Sequence, residues 1–489
     1  MFKRPTKKQL LIRRIILSVV ATFAVIIIAT AAILFMLGFR LDSGNGRLEQ
    51  GALLQFDSTP NGGDVFVDGK NIGSRTATKQ TVIAGTHTIK MSKAGYQDWN
   101  RTLTLDAGTL TWLDYTRFVP NDRPVQKVAS YTELAGIVFS PDNRWALVQT
   151  AANSPQLQLA DLRNEDVKTS TLEIPAQTYT QPAEGVVQSF TTVSWDSGSR
   201  YALVKHIVGD QTEWLVIDTQ NIAETVSVTQ RLSVDFKDLQ FASTNGQVLY
   251  GLSADGTIRR IDLAAATLSR AFVSQVDSFS IYNNTVLSYV GLDPSDATKR
   301  VAGVYRDGDE SSHVLYSTSN LEASLKVATS RYFSDDYVAV AENNVVTVMR
   351  GRYPTSSSQE NTSLKQLTKF ELTGTASSLG FSPQGDYVIA QSGDTYKTYE
   401  IEHNRSAVGM VAVAEGQTAP TLKWLDQAHL WNEKGTELIM RDFDGSNVYS
   451  IMNLAPGYNV SLSQNGRFFY TIGKTDTGYQ LQRVKMILE

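Results

Sequence analysis

Five histidines, His87, His206, His313, His403 and His429, are the residues of this 489-residue chain best suited to proton transfer or metal ligation. No two lie three or four positions apart, so no helical turn can bring a pair onto one metal ion, and H-E-x-x-H is absent. Cysteine is absent altogether, which excludes disulfides, Cys-type zinc sites, Fe–S clusters and thiol nucleophiles. Neither G-x-S-x-G nor a Walker sequence occurs, and Gly44-x-Gly46 extends to no dinucleotide fingerprint. Two acidic stretches, Asp307-Gly308-Asp309-Glu310 and Asp442-Phe443-Asp444-Gly445-Ser446-Asn447, could offer oxygens to calcium. The twelve-residue loop rule fails for the second, because its twelfth position is Asn453, and both read as solvated hairpin turns. Five Asn-x-Ser/Thr matches, Asn100-Arg101-Thr102 and Asn283-Asn284-Thr285 among them, occur as readily by chance. A Ser/His/Asp triad gathered from distant loops would need a scaffold of long amphipathic helices that the sequence does not offer. No residue is therefore assigned as catalytic, cofactor-binding or metal-ligating, and no cofactor is expected.

The composition is that of a turn-rich globular chain, with 42% apolar residues and 34 glycines against 13 prolines. The net charge of −4 hides an asymmetry. Lys3, Arg4, Lys7, Lys8, Arg13 and Arg14 put six positives and no acid in the first fourteen residues. The remainder holds 39 basic and 49 acidic residues, a balance of −10. A chain this acidic has no long-range attraction for nucleic acid. The 25 residues from Ile15 to Phe39 carry no charge, enough at 1.5 Å per residue to cross a hydrocarbon core of about 30 Å as a helix. Ser18, Thr22 and Thr30 are tolerable there because hydroxyls bond back to helix carbonyls. The basic flank before the run orients it with the N-terminus cytoplasmic and the rest extracytoplasmic. A cleaved signal has a shorter apolar core followed by a small-residue site, so an uncleaved, single-pass signal-anchor is the reading, with cleavage or a buried helix as the alternatives. Residues 1–14 are thus a cytoplasmic tail, 15–39 a transmembrane helix and 40–49 a stalk loosened by Gly44-Asn45-Gly46.

From residue 50 to 118 short alternating runs replace the helix. Asp64–Val67 meets Asp68-Gly69, a type I′ hairpin signal, and returns as Lys70-Asn71-Ile72. Thr86–Met91 alternates with period two, placing His87, Ile89 and Met91 on one face. Ser58-Thr59-Pro60-Asn61-Gly62-Gly63-Asp64-Val65-Phe66-Val67-Asp68-Gly69, Val82–Ile89 and Lys93-Ala94-Gly95-Tyr96-Gln97-Asp98-Trp99 resemble a PEGA domain, although the name-giving tetrapeptide is here Pro60-Asn61-Gly62-Gly63. The resemblance implies a small β-sandwich on a prokaryotic envelope protein and no catalysis. His87 falls where the family often has Gly-x-His, and it reads as a packing or hydrogen-bonding residue.

Pro120–Pro124 brackets a linker (119–124), and beyond it, over 125–489, a unit recurs: an apolar strand ending in an aromatic, a polar turn, then a second strand. Clear copies are Phe139-Ser140-Pro141-Asp142-Asn143-Arg144-Trp145, Trp195-Asp196-Ser197-Gly198-Ser199-Arg200-Tyr201, Phe381-Ser382-Pro383-Gln384-Gly385-Asp386-Tyr387 and Leu462-Ser463-Gln464-Asn465-Gly466-Arg467-Phe468. Weaker ones centre on Phe241, Tyr282, Phe333 and Trp424. The eight anchors are 38 to 56 residues apart, with a mean near 46, the length of one four-stranded propeller blade. Third strands are expected at 157–159, 214–217, 258–263, 396–401 and 448–452. The last unit lacks an outer strand, and Val125–Tyr131 can supply it, closing the ring N-to-C. Eight blades are favoured and seven are the alternative. These repeats resemble the WD40-like β-propeller repeats of the TolB group, which implies a fold rather than an activity. Tyr353–Asn361 reads as a polar loop at the rim.

The fold expected is therefore an all-β ectodomain behind one transmembrane helix, a PEGA-like sandwich followed by a propeller. The function expected is non-catalytic: an envelope protein whose propeller binds a protein or cell-surface polysaccharide, with the sandwich as spacer or wall contact. The alternative is a propeller enzyme, a lyase, glycan hydrolase or quinone-dependent dehydrogenase, with its site in the central channel. A purely structural surface protein is a third possibility.

Overall fold

A computed structural model describes residues 7–36, 38–41, 48–356, 364–413 and 416–488, in two compact units, Met1–Asp122 and Arg123–Glu489. In the first, helix α1 spans Lys7–Met36. It starts within the expected basic tail because Lys, Gln, Leu and Arg are all good helix formers. Leu11–Met36 has a mean hydropathy of 2.8 and is long and apolar enough to cross a membrane. The helix stops before Gly38, whose φ of +83° few other residues adopt and whose N–H donates to the Phe35 carbonyl at 3.1 Å. Phe39, expected inside the helix, instead opens strand β1 (Phe39–Leu41), which pairs antiparallel with β2 (Leu48–Thr59) through Phe39↔Gln50 and Leu41↔Leu48. Part of the expected stalk is thus sheet. The N-terminal end of β2 runs beyond its neighbours, and β1 satisfies backbone groups that would otherwise form an open edge. Gly44-Asn45-Gly46 lies outside the described residues.

The chain continues as β3 (Asp64–Val67), β4 (Lys70–Arg75), β5 (Thr78–Ile83), β6 (Gly85–Ser92), β7 (Trp99–Leu105) and β8 (Leu110–Arg117). One sheet has the order β1-β2-β5, with β8 also paired to β2; the other has the order β4-β3-β6-β7. The β3–β4 turn is the expected hairpin, with positive φ at both Asp68 and Gly69. Alternation sorts the side chains. Ala52, Leu54, Phe56 and Leu113 of one sheet and Val65, Ile89, Met91, Trp99 and Leu103 of the other are buried, each worth about 1.5–3 kcal/mol when a large side chain is fully removed from water.

The second unit contains, among the described residues, eight four-stranded antiparallel sheets, seven of them built from four consecutive strands. Contacts run between the first strands of several successive sheets, so the first strands lie at the axis and the fourth at the perimeter. The eighth sheet takes its outer strand from the start of the unit: β9 (Gln126–Tyr131) pairs antiparallel with Gly478–Lys485 through Tyr479↔Tyr131 and Leu481↔Ala129. One apolar cluster then joins Tyr131, Tyr470, Ile472 and Leu481 to Ile137, Ala146 and Val148 of the first sheet. The ring is a closed β-propeller.

Seven of the eight anchors end the innermost strand of a sheet. Phe333 does not; Tyr332 ends that strand, and Phe333 occupies the turn with φ +49° and 81% exposure. The segment 448–452, expected as a third strand, is instead the fourth strand of the seventh sheet (Tyr449–Asn453), because the tight turn at Gly435 brings the earlier hairpin forward. In the four clear copies the turn is built one way. The residue after the anchor accepts the N–H five positions on: Trp145 N–H to Ser140 Oγ at 3.0 Å, Tyr201 N–H to Asp196 Oδ1 at 2.7 Å, Tyr387 N–H to Ser382 Oγ at 3.0 Å and Phe468 N–H to Ser463 Oγ at 2.9 Å. The motif is therefore a turn-capping device, in which a short polar side chain replaces a missing ladder bond.

Candidate functional site

Strand direction divides the loops of the second unit between two ends. The first-to-second and third-to-fourth connections share one end, and the remaining connections share the other. At the first end the closing ring brings the turn of the first sheet against that of the eighth. Two adjoining hollows of about 330 and 180 Å³ open there, sharing Leu162, Arg163 and Asn465. The Arg144 Nε–H donates to Gln464 Oε1 at 2.9 Å across the seam, and Ser461 Oγ–H donates to Asn143 Oδ1 at 3.0 Å. Arg163 grips Asp161 with two bonds of 2.8 and 2.6 Å and covers the Trp145 ring at 4.6 Å, and Arg467 meets Glu165 at 3.3 Å. The Asp161 carboxyl is held below the ordinary carboxylate range by the Arg163 guanidinium. Arg144, Arg163 and Arg467 are thus offset by Asp142, Asp161 and Glu165. The cleft is charge-balanced, dense in planar amide and guanidinium groups, and backed by an indole. A second cleft of about 480 Å³ lies at the opposite end, lined by Val413, Gln417, Glu433, Lys434 and Pro456 among others.

The five histidines lie in separate places, each beside a carboxylate. His87 has Asp68 at 2.7 Å on Nδ1 and the Ile83 carbonyl at 2.7 Å on Nε2, the bonding role expected for it. The Thr88 backbone N–H and then His87 hold the Asp68 carboxyl below its usual range. His206 is fully buried, stacks on Phe190 at 4.4 Å, and spans Glu213 at 2.9 Å and Gln188 at 3.2 Å. Burial opposes ionisation of Glu213, but hydrogen bonds from Thr180, His206 and Gln230 outweigh it and keep the carboxyl below its usual range. His429 sits between Asp426, at 2.7 Å from Nδ1, and Asp442, at 3.5 Å from Nε2. In His87 and His206 both ring nitrogens are bonded to other groups, which leaves no place for a nucleophilic hydroxyl. His403 Nδ1 lies 2.5 Å from Glu400, whose carboxylate raises the imidazole above its ordinary value. His313 lies 3.8 Å from Asp309. Among the described residues, no three His, Asp or Glu side chains converge as a metal site.

Asp307-Gly308-Asp309-Glu310 is a largely exposed turn, as expected, whereas Asp442-Phe443-Asp444-Gly445-Ser446-Asn447 is drawn into the protein. Asp442 is buried and accepts from Asn447 Nδ2 at 2.8 Å, while Asp444 accepts from Ser446 Oγ at 2.6 Å. Asp307 accepts from the Tyr250 hydroxyl at 2.8 Å and pairs with Arg260 at 3.2 Å. Asp307, Asp442 and Asp444 thus accept from side chains of their own chain. Tyr353, expected in a rim loop, is a buried residue whose hydroxyl donates to the Ser330 carbonyl at 2.6 Å; residues 357–363 lie outside the described residues. The eight innermost strands carry only two carboxylates, Asp238 and Asp277, and no histidine; Asp277 is paired with Arg300 at 2.6 Å. The seam cleft escaped sequence reading because its halves are about 320 residues apart. The signal was nevertheless present, since a ring that closes must set its first and last turn copies side by side.

The second unit is a β-propeller by its sheets and its closure. In the first, residues 52–118 match the PEGA domain family. No curated protein matches the chain. Solved structures similar to it include the β-propeller domain of Myceliophteria thermophila Cps50 (Swd1), at 12% identity and a TM-score of 0.40 over 68% of this chain and 100% of that one. The Dos1 propeller is another, at 9% identity and a TM-score of 0.46 over 74% and 94%.

Proposed function

We propose that the protein is a non-catalytic, single-pass envelope protein, N-terminus cytoplasmic, whose extracytoplasmic propeller binds a cell-surface polysaccharide, with the PEGA domain as spacer. The observation that carries this reading is the seam cleft, whose balanced charges and planar hydrogen-bonding groups fit sugar hydroxyls. The basic flank of α1 supports the orientation, and PEGA domains are typically extracytoplasmic. The scarcity of carboxylates and the lack of histidine on the innermost strands weigh against the alternative of a channel enzyme. Purified full-length protein in nanodiscs, titrated with fractionated envelope polysaccharides, tests the proposal. Saturable binding is expected, weakened about tenfold by the pair Arg144→Ala and Gln464→Ala, since one hydrogen bond to a charged group is worth about 1.5–3 kcal/mol. Unchanged affinity in that variant, capture of a protein alone, or cleavage of the polysaccharide overturns the reading.

A further inference from the structure

The outer face of the β5-β2-β8 sheet is apolar where α1 joins it. The Gly51 N–H donates to the carbonyl of Gly38, two residues past the end of α1, at 3.0 Å. Ile83 stands directly opposite Gly51 on β5, and Leu110 stands opposite Leu53 on β8. Period two places Gly51, Leu53 and Gln55 on the outer face, together with Ile83 and Thr81, and with Leu110 and Trp112. Ile83, Leu110 and Trp112 are 48%, 40% and 40% exposed. Their inward neighbours Thr111 and Leu113 are buried. At about 3.3 Å per strand residue and about 4.8 Å between strands, Leu53, Ile83 and Leu110 lie within roughly 10 Å of the point where the chain leaves the helix. The same face turns polar further along, at Asp57 and Asp114.

We infer that this patch docks on the outer surface of the lipid bilayer, so that the PEGA domain sits on the membrane instead of swinging from it. The inference rests on α1 being a membrane anchor. The headgroup region on each side of a bilayer is about 5–7.5 Å deep, so residues this close to the helix end stand in or just outside it, and a sheet leaning toward the membrane brings their apolar face into it. Trp112 suits that position, with an apolar ring and one N–H donor. Lys79, exposed on the same face, can bury its methylenes while keeping its ammonium among phosphates. The pairing of β1 with β2 shortens the tether that would otherwise let the domain leave the surface.

The absence of native cysteine makes single-cysteine spin labelling direct. Full-length protein in phosphatidylcholine–phosphatidylglycerol nanodiscs is labelled at Ile83→Cys, Leu110→Cys, Ala31→Cys within the helix, or Lys70→Cys on the β3–β4 hairpin, and relaxation by oxygen and by a water-soluble nickel chelate is measured. Docking predicts that the Ile83 and Leu110 labels lose collisions with nickel relative to Lys70 and gain them with oxygen, while Ala31 reads as fully lipid-exposed. Nickel accessibility at Ile83 and Leu110 equal to that at Lys70, with Ala31 in lipid, overturns the docking and leaves the anchor standing. An aqueous Ala31 label overturns both. Spin–spin broadening between copies at Ile83 or Leu110 assigns the patch to self-association and also overturns the docking.

Discussion

Tyr131 tests the closure of the ring at one side chain. It ends β9, faces Tyr479, is 7% exposed, and packs in the cluster that joins the eighth sheet to the first. Its hydroxyl is buried without a hydrogen-bond partner among the described residues, and burial pushes its pKa up to about 12. Two substitutions should therefore act in opposite directions. Tyr131→Ala removes a packed ring and leaves a cavity, a loss of about 3–5 kcal/mol. Tyr131→Phe keeps the ring and deletes an unpaired polar group, whose burial costs about 1–3 kcal/mol, so it should stabilise by about 1 kcal/mol. Urea unfolding of the full chain in detergent, followed by tryptophan fluorescence, measures both, and protease digestion followed by mass spectrometry shows whether β9 is released first. A destabilised Tyr131→Phe would refute the unpaired hydroxyl. A loss below about 1 kcal/mol in Tyr131→Ala would refute β9 as a structural part of the ring.

Three further outcomes are expected. Asp196→Ser can keep the Tyr201 N–H bond but not those of Gly198 and Arg200, so it should cost less than Asp196→Ala, which leaves all three backbone donors without their side-chain acceptor and should cost about 1–3 kcal/mol by chemical denaturation. Gly385 and Gly393 both have positive φ, but a Cβ at Gly385 would lie 2.4 Å from Ser330 Oγ and 2.7 Å from the Arg331 carbonyl, while one at Gly393 meets nothing. Gly393→Ala should cost the conformational term alone, about 1 kcal/mol, and Gly385→Ala clearly more, read as unfolding midpoints. His403 titrates above its ordinary value because of Glu400, so their pair stabilises fully below pH about 6.5 and is lost as pH rises through the higher folded value. An NMR titration should show the His403 ring shifting back to its ordinary range in Glu400→Gln, and an unmoved midpoint counts against the pairing.

Much of the architecture was legible because it is periodic. The spacing of Phe139, Trp195, Phe241 and Phe381 carries the sheets, and the strand missing from the last unit pointed to Gln126–Tyr131. What escaped was short or non-local. The innermost strands Lys423–Trp424 and Ser461–Leu462 have two residues each, too few to show alternation. Phe333 was indistinguishable from a packed anchor because Tyr332 beside it is the residue that ends the strand. The pairing of Phe39–Leu41 with β2 was hidden by the apolar run leading into it. The histidines gave no spacing signal because their carboxylate partners come from strand register, as with His206 and Glu213, facing each other on adjacent strands. The seam cleft depends on a contact between the two ends of the ring.

That contact also fixes an order of events. β9 emerges from the ribosome before any other strand of its sheet, yet its partner, Gly478–Lys485, follows about 350 residues later. At about 5–20 residues per second the two are separated by roughly 20–70 s of synthesis. Throughout that interval the first strand of the propeller has no permanent neighbour, and a chain interrupted before Gly478 leaves it unpaired. Completion of the propeller thus reports that translation has passed Lys485.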